Sequence, residues 1–250
     1  MKLVAKVLNI PGISRARWVL IKEINSFFGS NLPPLSLGIV ALLCGIPSVI
    51  LSQSSGATYA GVTRLIFYWF YITMIIAGLF LSMSAFVNEK KQGTMELLYT
   101  LPVSDLELVL GKFMMGFVVL TPTALAMTLV YVVGIAEAPW YMSVTGAFGL
   151  ILVAMYAYAI GLFASSLTES YLIALLISAA IVITIEALGF MAGFFPTPIK
   201  EILTHMHSLN QYTPFSRGRI PLKGTIYFAS LTVFFLFLTV KVLESRRWRG

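Results

Sequence analysis

Along the chain, apolar residues come in long runs, and the polar residues gather into short breaks between them. A run of about 17 to 25 such residues, helical at about 1.5 Å per residue, matches the roughly 30 Å of hydrocarbon in a bilayer. The pattern predicts six spanning helices, at residues 35–52, 66–87, 113–135, 146–165, 171–194 and 224–243. Pro47 and nearby glycines dilute the first, which a membrane helix tolerates when neighbours satisfy the freed carbonyl. The fold class is therefore an all-α integral membrane protein, with residues 1–250 forming a single transmembrane domain.

The breaks carry patterns of their own. In "SRARWVLIKEINSFFG", residues 14–29, a helical register places Leu20, Ile21, Ile24, Phe27 and Phe28 on one stripe and Arg15, Lys22, Asn25 and Ser26 elsewhere. This predicts an N-terminal interfacial amphipathic helix capped by Ser14, serving either as a lipid anchor alone or also as part of a docking surface. Arg17 heads the apolar stripe, so it must snorkel or pair with a carboxylate from another segment.

Residues 88–113, "NEKKQGTMELLYTLPVSDLELVLGKF", form the longest stretch that is not mostly apolar. A short helix is expected from near Thr94 to Leu101, stopped by Pro102. Ser104 and Glu107 then match a capping box, with Val103 and Leu108 as its staple, so the next helix is predicted to begin at Asp105. A solvated loop is the plainer reading. Against it, a turn needs fewer residues, and Met95, Leu98, Tyr99 and Leu101 present apolar surface that suits a partner.

Beyond the fifth run, Thr197 can cap a helix whose first residue is Pro198, with Ile199, Ile202, Leu203, Met206 and Leu209 on one face, which predicts an amphipathic outer helix. The cluster Phe67, Tyr68, Trp69, Phe70 and Tyr71 suits an aromatic belt at the membrane surface, or a contact for a lipid-like substrate.

Composition excludes a soluble domain: 58% of residues are hydrophobic and 11% charged, against about 25% charged in soluble domains. The net charge of +7 is read as topology, and no nucleic-acid partner is expected. Lys2, Lys6, Arg15, Arg17, Lys22, Lys90, Lys91, Lys112, Lys241, Arg246, Arg247 and Arg249 share one side of a six-span layout, against Arg64, Lys200, Arg217, Arg219 and Lys223 on the other. The positive-inside rule then puts both termini and the 88–113 insert in the cytoplasm of a bacterial-type inner membrane. Lys6 interrupts any signal-peptide core, and the single Cys44 excludes an intramolecular disulfide.

Catalytic motifs are missing. "LGK" at Leu110 to Lys112 lacks the rest of a phosphate loop, and no zinc-protease, hydrolase-elbow or C-x-x-C pattern occurs, so the chain itself is expected to have no catalytic residue, cofactor or metal. His205 and His207 fall on different faces without a third ligand and read as solvated. The exception is Glu186 in "IVITIEALGF". A charge at that depth costs on the order of 3 kcal/mol, so Glu186 is either a pathway or gating group or a neutral or bonded glutamate that orients packing.

The insert's order of short motifs, an acid, Gly93-Thr94, Glu96-Leu97-Leu98, Pro102-Val103-Ser104 and Gly111-Lys112, resembles the cytoplasmic signature of type-two ABC exporter permeases. "KEINSFFGSNLPP" from Lys22 and "PFSRGRIPLKGTIYFASLTVFFLFLTVKVLESRRW" from Pro214 are similar to the gliding-motility-associated branch. More distantly, the chain resembles the permease of nitrous oxide reductase maturation.

The resemblance implies a coupling helix between spans two and three, two copies of the permease forming a homodimer, and two separate ABC ATPase subunits that hold the ATP and magnesium. It places Glu89, Gly93, Thr94, Glu96, Leu97, Leu98 and Pro102 at the ATPase contact, flanked by the turn with Leu167 and Glu169 and by the interfacial helix with Arg17, Lys22 and Glu23. The final loop has Arg219 and Pro221 where an acid often follows "SRG", which leaves an outer-face partner open. The competing reading is a non-transporting anchor or mechanical transmission subunit that recruits a cytoplasmic ATPase.

Overall fold

The computed structural model describes residues 19–25, 29, 59–94, 104–134, 140–197 and 199–247. All regular structure among them is helical: α1 (19–25), α2 (Tyr59–Ser82), α3 (Val87–Lys91), α4 (Asp105–Gly134), α5 (Trp140–Leu167), α6 (Tyr171–Met191), α7 (Ile199–Met206), α8 (Ser208–Ser216) and α9 (Leu222–Arg247). A 3₁₀ turn, Ala192–Phe194, extends α6.

Among the described residues, five stretches are long and apolar enough to cross a membrane: Gly61–Lys91, Asp105–Val133, Trp140–Leu167, Tyr171–Phe194 and Leu222–Ser245. They correspond to five of the six expected spans, and the other, 35–52, lies outside the described residues. The chain is a multi-pass all-α membrane protein.

Two helix starts move from expectation, that of α5 to Trp140 from 146 and that of α2, and one holds. Helix α2 begins at Tyr59 and not near 66, because Arg64 points outward and does not interrupt the buried face. Helix α4 begins at Asp105 through the reciprocal pair its sequence encodes: Ser104 N–H donates to Glu107 Oε2 at 2.9 Å, and Glu107 N–H to Ser104 Oγ at 3.3 Å.

Helix α5 is the centre, packed against α2, α9, α4, α6 and α8, and it is the most covered of the five. Its buried face carries Ala154, Ala157, Ala159, Gly161 and Ala164, small residues that let neighbouring backbones approach closely where lipid offers no hydrophobic drive. Helix α6 is the least covered. Hydroxyls in the spans bond back to their own helices, as Thr123 to the Val119 carbonyl and Thr128 to that of Ala124, so few polar groups face hydrocarbon unsatisfied.

The loop after α6 differs from its pattern. The amphipathic helix stops at Met206, and α8 returns into the bundle with Ser208, Tyr212 and Phe215 buried. Ser208 meets Tyr71, which lies about 18 Å along α2, so the hairpin of α7 and α8 dips to mid-helix depth. Tyr212 stacking on Tyr71, with ring centroids 5.1 Å apart, secures it there. The expected aromatic belt splits accordingly: Tyr68 and Trp69 face out, whereas Phe67, Phe70 and Tyr71 are core.

Candidate functional site

At the end of the bundle that carries the insert, four consecutive residues each engage a neighbouring element. The Tyr171 hydroxyl, at the start of α6, donates to Asn88 Oδ1. Glu89 receives Lys22 of α1 on Oε1 at 3.1 Å and lies 3.1 Å from Lys112 of α4 on Oε2, the second an ion-pair contact without an aligned hydrogen bond. Lys90 Nζ donates to the carbonyls of Ser165 (3.2 Å), Ser166 (2.6 Å) and Thr168 (3.0 Å), capping the negative end of α5. Lys91 Nζ lies 4.0 Å over the Tyr171 ring.

Lys112 is the buried member, 1% exposed. Its ammonium donates to Glu23 Oε1 at 2.9 Å and to the Ala85 carbonyl at 2.7 Å besides its contact with Glu89. A cation at such burial persists only because acceptors surround it. Two lysines and two glutamates thereby balance one another and fasten α1 and α3 to α4.

The short helix α3 ends in a Schellman motif. Gly93 N–H bonds the Lys90 carbonyl and Thr94 N–H the Glu89 carbonyl, with Gly93 at φ +66°. Glycine is needed there because a Cβ disfavours left-handed backbone. The surface left around this end is formed by Lys91, Gln92, Gly93, Leu167 and Glu169, all exposed.

The second polar cluster lies within the membrane-crossing part. Glu186 Oε1 accepts from the Tyr71 hydroxyl at 2.6 Å and from Ser208 Oγ, while Glu186 Oε2 lies 2.9 Å from His207 Nε2. His207 is therefore not solvated: it enters α6 at a notch opened by Gly189, where an added Cβ would lie 2.1 Å from His207 Cβ. The pair reaches the surface of α6, with Glu186 26% and His207 18% exposed.

Residues 45–240 match the family described as ABC-2 family transporter protein. The chain belongs to that family. It is the transmembrane permease component of an ABC transporter, from a family of non-ATPase subunits that typically partner with an ABC ATPase. No curated protein sequence matches it.

In this ABC-2 permease the fold brings together much of what the sequence singled out. Lys22, Glu23, Glu89, Gly93 and Thr94 meet at one end, with Leu167 and Glu169 beside them through Lys90. Glu89, at 6% exposure, is turned inward and offers a partner no free carboxylate. Arg17, Glu96, Leu97, Leu98 and Pro102 lie outside the described residues. Sequence reasoning missed Lys90 and Lys112 as structural anchors, and Tyr71, Ser208 and His207 as partners of Glu186. The cost of a carboxylate inside a span was the available signal that such partners exist.

Proposed function

We propose that the permease works as an exporter subunit, in which the insert and the neighbouring turn at 166–170 receive the movement of a separate ATPase and pass it to the spans. The carrying observation is the four-way engagement of Asn88, Glu89, Lys90 and Lys91, which ties the insert to α1, α4, α5 and α6. A push delivered to a segment held at so many points moves the helices and is not absorbed in a loop.

In this reading two copies of the permease pair with two ATPases, and ATP and magnesium stay on the partners. Residues 35–52 supply a sixth span, and both termini face the cytoplasm of an inner membrane. Glu96, Leu97, Leu98 and Pro102 complete the ATPase contact, and Glu89 acts by holding it in place. Glu186 lines a polar path between copies. Its partial exposure on the least covered helix supports this, since hydrocarbon is a poor neighbour for a carboxylate and imidazole pair.

The test is mild-detergent affinity purification of the tagged permease, with mass spectrometry and an ATPase assay on the eluate. A stoichiometric P-loop ATPase whose turnover is altered by Glu96→Lys or Leu98→Asp is expected. A permease recovered alone, under conditions that preserve other membrane complexes, would overturn this reading.

A further inference from the structure

The end of the bundle away from the insert carries a groove that the transport reading leaves unused. It runs between α4 and α5 with a volume of about 440 Å³, in the range of sites that take a ligand. Leu125, Leu129 and Val132 form one wall, and Val144, Phe148 and Ile151 the other. The lining is almost wholly apolar, and the hydroxyl of Thr128 on the α4 wall is turned back to the Ala124 carbonyl at 2.6 Å.

Length decides what kind of occupant fits. From Ser143 to Ile151 the α5 wall rises about 12 Å, whereas a spanning helix seated along it would run about 30 Å. The groove therefore suits an acyl chain within one leaflet. Trp140 sets its depth: it continues the stripe of Val144, Ala147 and Ile151 by one turn, is 75% exposed, and with the exposed Tyr141 puts aromatic rings at that end, as at a headgroup boundary.

The second observation is charge. Arg217 and Arg219 flank Gly218, whose turn at φ +81° lies so close to the first turn of α5 that a Cβ would sit 2.5 Å from Tyr141 Cδ2. Thr145 Oγ1 pins this turn by donating to the Phe215 carbonyl at 2.8 Å, and the Phe215 ring packs 6.1 Å from that of Phe148, a residue of the groove wall. Both arginines are exposed, and among the described residues neither has an ion pair. In the six-span layout they stand on the side that the positive-inside rule leaves poor in cations. Guanidinium is the side chain that meets phosphate with two parallel hydrogen bonds.

We propose that the groove and this turn together bind an anionic phospholipid, with one acyl chain between α4 and α5 and the phosphate at Arg217 and Arg219. The lipid completes the packing of α4 on α5 at this end of the bundle.

The experiment reads Trp140 fluorescence of the full chain, carrying Trp18→Phe, Trp69→Phe and Trp248→Phe, in vesicles of phosphatidylcholine and phosphatidylglycerol with bromine on the acyl chains of one lipid at a time. Phosphatidylglycerol is expected to quench in preference, with about fivefold of the preference lost in each of Arg217→Gln and Arg219→Gln. Val144→Phe, at a position 61% exposed, narrows the groove without entering the core and lowers the preference although both arginines remain. Lys200→Gln, which removes an exposed cation from α7, leaves it unchanged. Equal quenching by the two lipids, a loss in Lys200→Gln as large as in the arginine variants, or wild-type preference in Val144→Phe overturns the site, since each is the mark of diffuse surface charge or of none. Quenching by neither lipid overturns it too, and shows that protein, a second copy or residues 35–52, covers the groove.

Discussion

Lys112 and Glu23 meet at 2.9 Å although 89 residues separate them, and the contact joins α1 to the first turns of a membrane-crossing helix. The pair is useful only in company with Glu89. Replacing Lys112 by Met leaves two carboxylates crowded without their buried cation, at a cost of about 3–5 kcal/mol. Thermal unfolding in detergent should register it, and adding Glu89→Gln should recover part of the loss, the sign of direct coupling in a double-mutant cycle.

Lys90→Met removes the cap from the last carbonyls of α5. The expected loss is about 1–2 kcal/mol, confined to one helix end. Hydrogen exchange should show faster amide loss around 165–171, with protection through the middle of α5 unchanged. Uniform deprotection along α5 would contradict a capping role.

Gly93→Ala forces a Cβ into left-handed backbone, costing about 1–2 kcal/mol, and Gly93→Asn should cost less because asparagine tolerates that region better. Melting temperatures in the order Gly, Asn, Ala are the expected outcome. Among the described residues nothing lies within 4 Å of a Cβ at this position, so the comparison reads the backbone conformation.

Gly189→Ala should pry His207 from Glu186 and loosen the hairpin of α7 and α8. About 1 kcal/mol of lost docking makes local opening roughly fivefold more frequent, and trypsin should cut faster after the exposed Lys200. Gly193→Ala, a few residues on with open space around it, is the matched control and should leave cleavage unchanged.

Local rules made some of this legible in the sequence. The start of α4 is encoded within four residues by Ser104 and Glu107, and the apolar runs announced five membrane-crossing helices to within a few residues, with the starts of α2 and α5 the exceptions. The hairpin was illegible for a physical reason: a helix of eight amphipathic residues looks alike on a membrane surface and beside a bundle. Its depth is set by Tyr71 and Tyr212, which are 141 positions apart. Lys112 and Lys90 were equally opaque. Each looks like an ordinary boundary lysine until folding brings Glu23 to one and the carbonyls of Ser165 and Ser166 to the other. Glu186 stood out by its cost alone, and the residue that meets its second oxygen was the histidine that looked solvated.

The central position of α5 has a consequence for how the protein is made. One side of α5 is covered by α9, which leaves the ribosome after it. Until residues 222–247 enter the bilayer, that face has only lipid or a helper protein to lean on, so the half-made chain is the form most exposed to quality-control proteolysis. A stop codon near 220 would therefore do more than remove one span: it would leave the middle of the molecule permanently unfinished.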